Sequence, residues 1–294
     1  YTEEYNFGTS VTTAGAWASG NAMNTSRRYV AGMGTQTAGL FASGYTTTAS
    51  AAAESYDGSS FTSVPSLGTA RYAASSAGTQ TAGLVFGGMI GGLKDETEEY
   101  NGSSWAEQSN LNTARGEAGG LGIQTAALMF GGSLPSPTGA TEEYDGSSWT
   151  TSPNSLNTAR RGIIGGSGTQ TAGLAFGGTP PVTGATESYN GTAWTAVSPL
   201  ITARASLAPA IAGTQTAALA FGGDTGSVSA ATELYDGTSW FTQPSLGTAR
   251  RMGGGAGTIS AAMIAGGGTP GNTAASEEFT AATTATNIKT FTTS

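Results

Sequence analysis

The sequence predicts an all-β propeller of four-stranded blades, and three observations predict it. A T-E-x-Y-like segment recurs seven times, with its ring residue at Tyr5, Tyr56, Tyr100, Tyr144, Tyr189, Tyr235 and Phe279. Copies 44 to 51 residues apart, built from short alternating segments and glycine punctuation, match a propeller blade or solenoid unit, which buries its faces only by stacking on neighbours. Each copy divides into short apolar segments separated by turn residues. Finally, the 47 glycines stand at fixed offsets in the copies instead of being scattered as in a disordered chain. We read residues 1–294 as one domain whose core is built unit by unit.

Residues 156–199 give the clearest unit. Its first segment, 160–167, is small and apolar, as are 73–77 and 252–257. The strand nearest a propeller axis is crowded by its equivalents, and Gly, Ala and Ser fit that taper. A turn G-T-Q-T follows at 168–171 and recurs at 34–37, 78–81 and 213–216, with Ile123 replacing the first Thr in 122–125. The second segment, 172–176, ends in Gly177-Gly178. The third, 186–189, ends at Asn190-Gly191, which reads as a two-residue hairpin turn. The fourth opens at Trp194. Tyr56, Tyr100, Tyr144, Tyr189 and Tyr235, with Trp105, Trp149, Trp194 and Trp240, fall on these outer two segments, where adjacent blades meet.

An acidic residue of the third segment repeats in step with an arginine at the start of the first. The acids are Glu54, Glu98, Glu142, Glu187 and Glu233, and the arginines Arg71, Arg115, Arg160, Arg204 and Arg250. Ion pairs within or between blades are expected, acting on register more than on stability because a buried pair must offset its own desolvation. Nine arginines, including Arg27, Arg28, Arg161 and Arg251, occupy this one point of the repeat and are read as scaffold.

Composition excludes several functions. Without cysteine or histidine the chain has no disulfide, no thiolate nucleophile, no imidazole base and none of the usual zinc or copper ligands. We expect no cofactor, no metal site and no enzyme. A net charge of −8 with no basic cluster argues against nucleic acid, and no apolar run of membrane-spanning length suggests insertion. A carboxylate-pair glycosidase is the surviving enzymatic alternative. Only Asp95, Glu96, Glu107, Glu117 and Asp224 lie outside the repeated acidic positions to serve it.

The order of a small-residue strand, an apolar strand ending in Gly-Gly, a strand ending in Tyr and a strand opening with Trp resembles the kelch repeat. Gly87-Gly88, Gly131-Gly132, Gly177-Gly178 and Gly222-Gly223 stand at its double glycine, which Ser43-Gly44 breaks. The Tyr-to-Trp spacing of five is shorter than in typical kelch units. The wording of TEEYDGSSW at 141–149, LNTAR at 156–160 and GTQTAGLAFGG at 168–178 is similar to kelch-type arrays in virion and tail-fibre proteins of marine tailed phages. That resemblance implies a virion component, located in the extracellular particle. Its partners would be other virion subunits or a glycan or protein of the host surface, in an oligomeric assembly. A secreted or cell-surface glycan-binding propeller is the alternative.

First and second segments occur six times and third and fourth segments seven times, so six blades are expected, with seven as runner-up. Tyr5 reaches Trp17, and Phe279 reaches Phe291, after twelve residues instead of five. Terminal half-blades 1–20 and 276–294 are therefore expected to serve ring closure or a subunit contact. If repeated positions are scaffold, function lies where copies differ. The connectors after the double glycine, 45–52, 89–96, 133–140, 179–185, 224–231 and 268–275, vary most. Their candidate ligand-face residues are Tyr45, Met89, Ile90, Leu93, Lys94, Asp95, Glu96, Leu134 and Asp224.

Overall fold

A computed structural model describes residues 2–162 and 165–292, and side chains over 12–162 and 165–284. The described residues form strands and turns without a helix. Six four-stranded antiparallel sheets are arranged as a β-propeller. Blade 3 shows the plan: inner strand Gly119–Ile123, then Ala126–Phe130, Thr141–Tyr144 and outer strand Trp149–Thr151. Blade 6 differs. Gly254–Gly257, Ala261–Ala265 and Ser276–Thr280 come from the end of the chain, and the outer strand Ala16–Gly20 from its beginning, with Trp17 opposite Phe279. Beyond this pair the same two chain segments continue as a two-stranded ribbon, Thr2–Thr13 with Thr283–Thr292, that belongs to no blade. The two long Tyr-to-Trp spacings thus mark exchanged partners: Trp17 faces Phe279, and Tyr5 faces Lys289.

The core lies between blades, in six apolar clusters that each draw on two neighbours. Met33 and Leu40 of blade 1 meet Val85 and Tyr100 of blade 2, for example, and Phe41 meets Met263 of blade 6. Near the axis the strands approach too closely for side chains. A Cβ on Gly32 would stand 2.6 Å from the Gly255 carbonyl oxygen, and one on Gly255 2.1 Å from that of Pro209. In blades 2 to 5 the Tyr and Trp of the outer hairpin pack with ring centroids 4.9–5.2 Å apart, as in Tyr189 with Trp194 and Tyr235 with Trp240, while Tyr56 meets Phe61 in blade 1 and Phe279 meets Trp17 in blade 6. Each such contact adds about 0.5–1.5 kcal/mol beyond the area it buries.

Polar repeats tie the stack in three ways. All six incoming arginines are buried and pair within their own blade: Arg27–Glu54, Arg71–Glu98, Arg115–Glu142, Arg160–Glu187, Arg204–Glu233 and Arg250–Glu277, at 2.5–3.0 Å. Glu277 joins the set, and each glutamate pairs with the arginine before it in the chain. Burial pushes the Arg27, Arg71, Arg115, Arg160 and Arg204 pKa values down, and the glutamate opposes that shift. The glutamates also accept backbone N–H groups of the entering loop, as from Asn112 to Glu142 at 2.7 Å. Second, the glutamine of each G-T-Q-T turn donates to two carbonyls of the preceding blade, Gln170 to Ala127 and Tyr144 at 2.9 and 2.6 Å. Third, the Trp indole N–H crosses to a threonine of the preceding blade: Trp149 to Thr97, Trp194 to Thr141, Trp240 to Thr186 and Trp17 to Thr232. Trp105 faces Ala53 at that position and donates to the Pro65 carbonyl instead.

Two local expectations are corrected. Gly168 lies within the inner strand Ser167–Thr169, so only Gln170 and Thr171 form that hairpin turn. Tyr189 pairs with Trp194 across a four-residue loop, not a two-residue one. The Asn190 side chain closes that loop by accepting the N–H groups of Thr192 and Ala193, which is cheaper for an Asx residue than the strained two-residue turn. The stretch 163–164 of the first segment lies outside the described residues.

Candidate binding face at the axis mouth

Each buried arginine is followed by two variable residues, the first an arginine in three blades and the second different in all six. The first bridges in antiparallel fashion to the residue after the double glycine: Arg28 to Tyr45, Tyr72 to Met89, Gly116 to Ser133, Arg161 to Thr179, Ala205 to Asp224 and Arg251 to Gly268. All six variable connectors therefore start beside the axis on one face. The second residue has a left-handed backbone throughout. Tyr29, Ala73, Glu117, Gly162, Ser206 and Met252 have φ of 52–69°. That conformation turns their amides around the axis. Tyr29 N–H donates to the Met252 carbonyl, Met252 to Ser206, Ser206 to Gly162, Gly162 to Glu117 and Glu117 to Ala73, at 2.7–3.0 Å. A backbone belt thus holds the variable side chains in place, and the side-chain cost of φ > 0 is borne where the copies diverge.

The chemistry around this mouth is uneven. Tyr72 packs against Tyr45 and Tyr29 at 5.2 and 5.6 Å between centroids. The Arg28 guanidinium lies 5.2 Å from the Tyr45 ring centre and 5.9 Å from that of Tyr29. On other blades Arg161 pairs with Glu117 at 3.5 Å, and Arg251 pairs with Asp224. Burial pushes the Tyr29 hydroxyl pKa up, Glu117 adds to the shift, and Arg28 and Arg251 oppose it. The space inside the mouth, lined by Tyr29, Ala73, Ala74, Glu117, Ala118, Gly162 and Ser206, amounts to about 10 Å³. That holds a water molecule, not a sugar ring. Any larger ligand must lie across the face.

Of the sequence candidates, Tyr45 and Asp224 belong to this centre. Met89 bridges Tyr72 and Leu93, and Ile90 is exposed at the connector tip. Lys94 pairs with Glu96 at 3.0 Å. The Asp95 carbonyl accepts the Leu111 N–H, and Leu134 pairs with Ser136 in a small hairpin. The reading of Arg28, Arg161 and Arg251 as scaffold is corrected. They are partly exposed at the face, because the position after the buried arginine has no blade interior to enter. Tyr29 and Tyr72 were not singled out for the same reason, whereas Glu117 was set apart only as a non-repeating carboxylate. The signal was present: these two positions vary inside an otherwise repeating segment, the second of them in all six copies.

The six four-stranded sheets and the connectors that start together on one face define a six-bladed β-propeller. Among solved structures the chain is similar to one titled "Structure of YjhT", with a TM-score of 0.69 and 13% identity over 93% of this chain and 99% of that one. At that identity the likeness is one of fold alone. No family model matches the sequence, and no curated protein matches it.

Proposed function

We propose that this is a non-enzymatic, kelch-type propeller of a tailed-phage particle, which recognises a host surface through the connector face. The observation that carries this reading is the segregation of side chains. Positions that stack blades repeat almost unchanged, whereas those around one axis mouth vary among the blades, the left-handed position differing in all six, and include aromatic, basic and acidic groups. A scaffold that keeps its interior and varies one face is organised for recognition. The carboxylates at the mouth support a non-catalytic role, since Glu117 and Asp224 are each neutralised by an arginine of a neighbouring blade. The ribbon of Thr2–Thr13 with Thr283–Thr292, outside the ring, is the assembly element in this reading.

The test is competition. Purified propeller added to susceptible cells is expected to block adsorption of the particle that carries it, and a variant with Tyr45, Tyr72 and Arg28 replaced by Ser is expected not to. Equal blocking by both proteins rules out this face as the recognition surface. Failure of the wild-type protein to bind cells at all removes the recognition reading.

A further inference from the structure

Ten of the eleven basic residues have described side chains, and nine of these ten are bonded to a carboxylate. Arg28 is the exception among the described residues. Its guanidinium rests against the faces of Tyr45 and Tyr29, and its Nε is buried without a hydrogen-bond partner. The charge is thus oriented and desolvated on the aromatic side, where an oncoming anion gains most. The cradle is fixed before any ligand arrives. Arg28 and Tyr45 exchange both backbone hydrogen bonds, at 3.1 and 2.7 Å, and the Asn272 side chain of blade 6 donates to the carbonyls of Tyr45 and Thr46.

We propose that Arg28, Tyr45, Tyr29 and Tyr72 form an anion subsite for a carboxylate-bearing sugar residue of a surface polysaccharide. This rests on the recognition reading above. One cation suits one negative charge per recognised unit. A chain of net charge −8, with Glu117 and Asp224 nearby, disfavours dense polyanions such as nucleic acid. The planar guanidinium matches a carboxylate in bidentate fashion, and tyrosine rings supply flat apolar surface and hydroxyl groups for a pyranose lying across the closed mouth.

The experiment is calorimetric titration of the full chain with trimers of galacturonate, glucuronate and mannuronate. A neutral galactose trimer and a sulfated galactose trimer are run beside them at constant ionic strength. At least one uronate is expected to bind ten-fold or more tightly than the neutral and sulfated sugars. Arg28→Gln is expected to abolish that difference and Arg28→Lys to restore part of it. Arg28 enters no buried network, so unchanged melting temperatures will show that these variants fold. Binding of no uronate, tighter binding of the sulfated trimer, equal binding of the neutral one, or an unaffected Arg28→Gln each overturns the proposal. Cell binding by the same preparation separates the two readings: if it persists while the uronates fail, the face recognises something else, and if it is absent the recognition reading falls first.

Discussion

Removing the Arg160 charge tests how the buried ion pairs act. Arg160 and Glu187 are buried, with Nη1 2.5 Å from Oε1, and Glu187 Oε2 also accepts the Asn157 backbone and side-chain N–H groups at 2.7 and 2.8 Å. Arg160→Met fills most of the same volume but strands a carboxylate inside the blade. Breaking one partner of such a pair costs about 3–5 kcal/mol. With an unfolding entropy of roughly 2.1 cal/mol/K per residue over the whole chain, this lowers the melting temperature by about 5–8 °C. The double variant Arg160→Met with Glu187→Leu removes both charges and leaves only the Asn157 donors unpaired, about 1–3 kcal/mol. It is therefore expected to melt above Arg160→Met. Calorimetry on the two single variants and the double gives the coupling directly. An Arg160→Met protein melting within 1 °C of wild type, or a double variant as unstable as the sum of the singles, refutes the idea that the pair is held by mutual compensation.

Ser43 has φ of 58°, where the five equivalent residues are glycines with φ of 65–74°, and its hydroxyl is buried without a partner. Ser43→Gly relieves about 1–2 kcal/mol of left-handed strain against a chain-entropy loss of about 0.5–1 kcal/mol. A rise in melting temperature of roughly 1–2 °C is expected. The Tyr189 hydroxyl donates to Glu143 of the preceding blade at 2.5 Å, whereas the hydroxyl-free Phe279 packs with Leu234 at the matching position. Converting the first pair to the second, Tyr189→Phe with Glu143→Leu, is expected to cost less than the single changes combined, with a coupling of about 1 kcal/mol by denaturant titration. Backbone N–H groups of Ser148 and Ser147, with their hydroxyls, hold the exposed Asp145 carboxyl down at about 2, and Asp57 is likewise at about 2. A depressed carboxyl stabilises the fold above its unfolded pKa near 3.8. That contribution is lost as pH falls from about 4 through 2, so NMR titration of Asp145 should show a midpoint near 2, and Asp145→Ala should flatten the acid limb of the stability profile.

Much of the fold was legible because its determinants are local or periodic. The recurring ring residues, the double glycines and the small-residue inner strands each report a requirement that every blade meets with the same residue types. Six blades, the four-strand plan and the Tyr–Trp packing follow from them. The candidate site was half legible. Connector variability pointed to the face on which all six connectors start, where Tyr45 and Asp224 lie, but Arg28, Arg161 and Arg251 were absorbed into the scaffold because they adjoin the buried arginines. The structure separates them by one step along the chain, from a side chain facing the blade interior to one facing the axis mouth.

Composition and period alone determined that this protein is an all-β stack without imidazole or thiol chemistry, since each blade can bury its faces only against another like it. They did not determine how the ring closes. Trp17 and Phe291 follow equivalent third segments after equal spacings, and either is a chemically acceptable neighbour for Phe279. The choice of Trp17 joins residues more than two hundred positions apart, and its indole N–H finds Thr232 of blade 5. Nor did they assemble Arg28, Tyr29, Tyr45 and Tyr72, which lie on two blades and meet only because the left-handed turns at the axis bring their segments together. Local propensity and burial select strands. Only the closed ring decides which of several equivalent edges pair and which non-repeating side chains become neighbours.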